Sequence, residues 1–129
     1  MSIRKMMAAH PAAGGHINEP LAEAARKALD CAITCTVCAD ACSGEAMDMG
    51  QCIRVCLDCA DVCTLTARLA VRQTGENAVA MRAILRACIE TCEACAAECE
   101  KHDNAHCRMC VAACRECADD CREALEMVG

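Results

Sequence analysis

Four groups of cysteines with nearly the same internal spacing constrain this chain more than anything else in its sequence. Cys31, Cys35, Cys38 and Cys42 are separated by steps of 4, 3 and 4, as are Cys52, Cys56, Cys59 and Cys63, and again Cys88, Cys92, Cys95 and Cys99. The last group, Cys107, Cys110, Cys114, Cys117 and Cys121, runs 3, 4, 3, 4. At about 100° per residue these offsets stay within an arc of about 60°, so each group draws one narrow thiol stripe along an α-helix. A β-strand would scatter the same residues over both faces. Alternating steps of three and four are also the seam pattern of packed helices.

Helix start and stop signals agree with four such helices. Asn18 is a candidate cap for the first, with Glu19 and Pro20 in its opening turn and Ser43-Gly44 to close it, giving residues 19–43. Asp48 followed by Gln51 resembles a capping box for a second helix at 49–74, stopped by Gly75. Asn77 caps a third at 78–101, and the polar run His102-Asp103-Asn104 separates it from a fourth at 105–127, ending near Val128-Gly129. Connections this short make neighbouring helices antiparallel. The expected fold is therefore all-α, an antiparallel up-down-up-down four-helix bundle with a Cys-lined core. Residues 18–129 form its single domain, and residues 1–17, which carry Pro11 and Gly14-Gly15 but no stripe, form a tail or short helix.

That topology stacks the thiols in layers about 5 Å apart. Cys42, Cys52, Cys99 and Cys107 come first, then Cys38, Cys56, Cys95 and Cys110, then Cys35, Cys59, Cys92 and Cys114, then Cys31, Cys63, Cys88 and Cys117, with Cys121 left over. Beyond them the seam continues into an apolar plug of Leu21, Ala24, Ala28, Leu65, Leu69, Met81, Ile84, Leu85 and Leu125. At the opposite mouth stand Met49, His102 and Asp103 as candidate ligands, with His106, Glu45, Met47 and Met109 weaker ones. His10 and His16, in the leading segment, are expected to be exposed and not to ligate.

Composition sharpens this picture. The chain has 129 residues with 17 Cys and 27 Ala, no Phe, Tyr or Trp, and 20 Leu, Ile and Val in all, so thiols must occupy interior volume. Packing alone would accept Ala, Val or Leu at these seam positions and does not explain a run of thiols. An odd number of Cys cannot pair completely within the chain, and helical neighbours rarely meet disulfide geometry. The opening residues never develop the apolar stretch of a secretory signal, so the expected location is the cytoplasm, where thiols stay reduced. A net charge of −6 without a Lys/Arg run argues against nucleic acid, and no apolar stretch approaches membrane-spanning length. No Ser/His/Asp arrangement, phosphate loop or isolated activated Cys suggests an enzyme.

Thiolates with Met nearby form a soft ligand set that favours Cu(I), with Zn and iron–sulfur clusters as competitors. Structural Zn prefers separate four-ligand sites, and iron–sulfur clusters are held by loop cysteines, whereas a continuous ladder suits an ion that accepts two or three shared sulfurs. Each Cu(I) can replace a thiol proton and leave the buried row nearly neutral. The four helical Cys-x3-Cys-x2-Cys-x3-Cys stripes resemble the cytosolic branch of the bacterial copper storage protein family over about residues 19 to 127. The resemblance implies a bundle that stores many Cu(I) ions along its core, assembled as a homotetramer, with copper admitted at one end, and a copper chaperone is a further candidate partner. The rival readings are a Zn or Cd thiolate buffer and an iron–sulfur or dithiol redox protein.

Overall fold

A computed structural model of the chain describes residues 2–128; Met1 and Gly129, at the outer ends of the two expected segments, lie outside the described residues. The described residues form five α-helices and no strand: α1 (Ile3–Ala8), α2 (Glu19–Ser43), α3 (Gly50–Ala70), α4 (Ala78–Cys99) and α5 (Ala105–Glu126). The fold is thus all-α, with a short helix in addition to the four long ones that the stripes foretold.

Sulfur contacts give the relative direction of the long helices. Cys42 on α2 meets Cys52 on α3 at 3.7 Å, while Cys31, eleven residues earlier on α2, groups with Cys59 and Cys63. Between α3 and α4, Cys52 meets Cys99 at 3.6 Å and Cys63 meets Cys88 at 3.8 Å. Between α4 and α5 the pairs are Cys95–Cys110 and Cys88–Cys117, and between α5 and α2 they are Cys110–Cys35 and Cys114–Cys31. Each sequence-adjacent pair runs in opposite directions, and α5 returns beside α2. All 17 cysteines point into the enclosed axis, none more than 1% exposed.

Small side chains let the helices approach this closely. Ala24, Ala25 and Ala28 on α2 and Ala118 and Ala124 on α5 are buried against their neighbours, and shorter separations recover dispersion contacts that large side chains would otherwise supply. At the closed end Leu85 and Met81 fill the axis, with Leu21, Leu69, Ile84 and Leu125 packed at its edge. Leu65 does not join this plug. It is 46% exposed, because two residues after Cys63 it lies about 200° round the helix. Thr66, three residues after Cys63, is fully buried instead, its hydroxyl donating to the Val62 carbonyl at 2.8 Å.

The helix ends follow the sequence signals unevenly. Asn18 Oδ1 accepts from Leu21 N at 3.1 Å, and α2 spans the residues expected of it. The capping box before α3 does not form: Met49 holds the cap position, and Asp48 Oδ1 accepts from Gly50 N, one residue early. α3 also stops at Ala70 instead of continuing to 74. Its last turn is closed by Arg72 N and by the Asn77 amide, both donating to the Leu69 carbonyl, so Asn77 is diverted from capping α4 with its side chain. Gly75 takes φ +75° inside the resulting linker, a left-handed turn suited to glycine.

That linker anchors the leading segment. Gln73 donates to the Met7 carbonyl at 2.9 Å, His10 Nε2 lies 2.8 Å from Thr74 Oγ1, and Arg4 pairs with Glu19 and Glu23 on α2. Met7 is buried beneath α1. Residues 2–17 therefore lie against the closed end of the helices, and His10, half-buried with both ring nitrogens engaged, is not the exposed residue that its place in the sequence suggests.

Candidate metal centre

The thiols form one continuous sulfur column. Along a single helix, successive sulfurs four residues apart lie 3.8 to 4.0 Å from each other, as in Cys31–Cys35, Cys59–Cys63 and Cys88–Cys92. Across helices the separations are equally short, 3.6 Å for Cys59–Cys92 and 3.7 Å for Cys35–Cys110 and Cys56–Cys95. Bonded sulfurs lie about 2.05 Å apart, and all 17 cysteines are free. The column is therefore made of thiols in van der Waals contact, with space between them that a soft cation can bridge.

The expected flat layers are tilted and interleaved. Sulfurs lying within 4.8 Å of one another include the foursomes Cys31/Cys59/Cys63/Cys92, Cys31/Cys35/Cys59/Cys114, Cys35/Cys95/Cys110/Cys114 and Cys38/Cys56/Cys99/Cys110. Each mixes two of the expected layers. The reason is packing: side chains of one helix settle between those of the next instead of opposite them, so four stripes cannot all stand at equal height. The consequence is sharing, since Cys31, Cys35, Cys59, Cys110 and Cys114 each belong to two of these foursomes. Independent tetrahedral sites cannot all be filled when their ligands are held in common.

Electrostatics vary along the column. Burial pushes the Cys107 thiol up to about 11, and burial together with Cys52 raises Cys42 as well. Cys38 is held at about 6: its contact with Cys110 pushes it up, but its contacts with Cys56, Cys99 and the His106 ring outweigh that. Cys59 is drawn down to about 6, chiefly by donation from Cys114. A thiol that receives hydrogen bonds ionises more readily than one that gives them. A row of this kind holds most of its protons until cations replace them.

At the mouth a further group joins Cys38, Cys42 and Cys107 to His106. His106 Nδ1 lies 3.4 Å from Cys38 Sγ and 3.6 Å from Cys107 Sγ. Met49 is buried in the same core cluster, 3% exposed. His102 is turned aside, its Nε2 lying 3.4 Å from a carboxylate oxygen of Glu98. Asp103 is not gathered into the mouth. Its side chain is 98% exposed and pairs with Arg108, because α4 ends at Cys99 and α5 begins at Ala105, leaving Asp103 off the helical seam. Met47 and Met109 also face solvent.

His106 thus carries more of the mouth than His102. A signal for it existed: four residues before Cys110, it falls at the edge of the α5 stripe. Its neighbour Glu45 reaches it from the α2–α3 loop, Oε2 lying 3.9 Å from His106 Nε2.

The sequence model of the copper storage protein family matches residues 17–126. Ccsp of Streptomyces lividans, a copper storage protein whose structure was solved loaded with 10 copper equivalents, is 42% identical with a TM-score of 0.92, over 97% of this chain and 98% of that one. A five-copper structure from that organism, of a cytosolic copper storage protein, is 46% identical with a TM-score of 0.82, covering 84% of this chain and 93% of the other. Cu(I)-bound BsCsp3 is 34% identical with a TM-score of 0.69, covering 78% and 93%. Among curated proteins, the uncharacterized cysteine-rich protein YhjQ of Bacillus subtilis is 38% identical over 84 residues, 64% of this chain and 74% of its own length.

Proposed function

Because this chain belongs to the copper storage protein family, we propose that its sulfur column is a high-capacity Cu(I) reservoir and that the protein is a store, not an enzyme. One observation carries the reading: buried thiols on all four long helices approach within 3.6 to 4.0 Å and are shared between adjacent foursomes. Cu(I) accepts two or three sulfurs at a time and can share them with its neighbours. Each ion displaces thiol protons, so charge inside the column stays small as it fills.

All 17 cysteines serve as ligands in this reading, with His106 and Met49 at the mouth and His102 beside them. Asp103 is left out because its carboxylate faces solvent and Arg108. Residues 18–129 act as one domain, an antiparallel up-down-up-down four-helix bundle, and α1 braces its closed end. The cytoplasm, the compartment named for the Streptomyces lividans relative, suits reduced thiols. Self-association, in the homotetramer that the family resemblance implies, is supported by one exposed apolar face of α2, where Leu29, Ile33 and Val37 lie four residues apart. A second copy of the chain is the natural cover for that face, and a soluble chaperone is the natural source of copper.

The test is an anaerobic titration of the reduced chain with Cu(I) against a competing chelator, repeated with Zn(II). Storage requires uptake of many Cu(I) ions with a tighter hold than Zn achieves. Saturation at one or two Cu(I), or preferential loading of Zn, would overturn it.

A further inference from the structure

The Nε2 atom of His106 is buried and has no hydrogen-bond partner among the described residues. Unpaired buried polar atoms are uncommon and usually mark a group waiting for a partner or an ion. Here the other ring nitrogen, Nδ1, already faces the sulfurs of Cys38 and Cys107 at 3.4 and 3.6 Å. The atom nearest in kind to a partner for Nε2 is the Glu45 carboxylate, 3.9 Å away, about 1 Å beyond a hydrogen bond.

We propose that Glu45 is the positioning residue of the copper-admitting site: it takes the Nε2 proton of His106 in a hydrogen bond and so leaves the Nδ1 lone pair directed at the Cys38/Cys42/Cys107 pocket. This rests on the copper-storage reading and refines it. A neutral imidazole has one donor and one acceptor nitrogen. With the proton on Nδ1, His106 would donate to sulfur and turn its Nε2 lone pair towards a carboxylate, which is repulsive, and the nitrogen facing the sulfurs would have no lone pair for the metal. With the proton on Nε2, both contacts become favourable. Glu45 thereby selects the ligating form before copper arrives. A carboxylate behind a metal-binding imidazole orients the ring and raises its basicity.

The local chain is built for a short closing movement. Glu45 follows the Gly44 C-cap of α2, and its backbone N–H donates to the Cys42 carbonyl at 3.2 Å. The backbone is tied to the helix that carries Cys38 and Cys42 while the half-exposed side chain has room to move. On loading, the first Cu(I) would bond to Nδ1 of His106 and to sulfur from this group, each thiol that binds it becoming a thiolate and giving its proton to water as the Glu45 hydrogen bond shortens.

The experiment is heteronuclear NMR of ring-nitrogen-labelled histidine, with His106→Gln to assign the signal, in the copper-free chain and after the first Cu(I) equivalent. The expected result is His106 with its proton on Nε2 in both states. Glu45→Ala should redistribute the proton towards Nδ1 and weaken binding of the first Cu(I) about tenfold, with total capacity unchanged. Glu45→Asp should recover part of the loss. A wild-type ring carrying its proton on Nδ1 would overturn the proposal, and so would a Glu45→Ala chain with unaltered ring signals and unaltered first-copper affinity. The wild-type spectrum decides the matter even if the variant fails to fold. Failure of the storage reading itself would appear separately, as a low saturating copper number in the wild-type titration.

Discussion

Nδ1 of His106 and Sγ of Cys38 lie 3.4 Å apart although 68 residues separate them in the chain. The contact joins the mouth end of α5 to the middle of the α2 stripe, and it brings a nitrogen donor to the sulfurs of the mouth, whereas the four foursomes described further along the column consist of sulfur.

That difference separates the two mouth histidines. His106→Ala should lower affinity for the first Cu(I) by about tenfold, while His102→Ala, whose ring is occupied by Glu98, should change it by less than about twofold. Chelator competition at substoichiometric copper measures both. Equal losses would place His102 in the site as well.

Sharing of sulfurs sets unequal costs for removing them. Cys35 belongs to two foursomes in the middle of the column, whereas Cys121 sits at its closed end against Cys117 and Cys88. Cys35→Ala should reduce the saturating number of Cu(I) by more than Cys121→Ala does. Titration to saturation of the two variants, compared with the parent chain, provides the check; equal decrements would mean that the ions do not share ligands.

Alkaline pH should loosen the copper-free protein. Burial raises the Cys107 thiol from 9.0 to about 11 and also raises Cys42, so the folded chain holds these protons more tightly than the unfolded chain does. Both contributions are fully present below about pH 9; that of Cys107 is lost as pH climbs through 11, and that of Cys42 declines over the same range and beyond it. Urea midpoints of the reduced copper-free chain should fall across that window. The loaded protein, whose thiol protons have already gone, should show a smaller decline.

At the closed end, stability and storage separate. Leu85 is the largest fully buried side chain and lies beyond the thiols. Leu85→Ala should cost about 2 to 5 kcal/mol through lost burial and the cavity left behind, without changing how many Cu(I) ions bind. Denaturant unfolding in the copper-free state measures the first, and titration the second. Copper should restore much of the lost stability, since a ligand that binds only the folded form stabilises it.

Reading the stripes alone placed every thiol on an inward helix face and located α2 to the residue, because a 4, 3, 4 spacing has one helical interpretation and Asn18 does form its cap. The sequence signals lose their force where the chain leaves helical geometry. Extending the seam to Asp103 carries helical spacing outside α5, which begins at Ala105, and extending it to Leu65 miscounts the turn after Cys63. The Asp48 capping box does not form because Gly50 N captures that side chain, and Asn77 stands at the N-cap of α4 as expected but its side chain donates to the Leu69 carbonyl instead of capping.

The sequence by itself determined the chemistry: which residue types line the axis, that they lie on helices, and that a soft monovalent metal suits them. Periodicity is a local property, written into every stripe. Only the tertiary structure decided how the stripes mesh, which sulfurs are held in common, and that His106 rather than Asp103 meets Cys38. Those outcomes depend on the relative height and rotation of four packed helices, which interdigitating side chains set together and no single segment encodes.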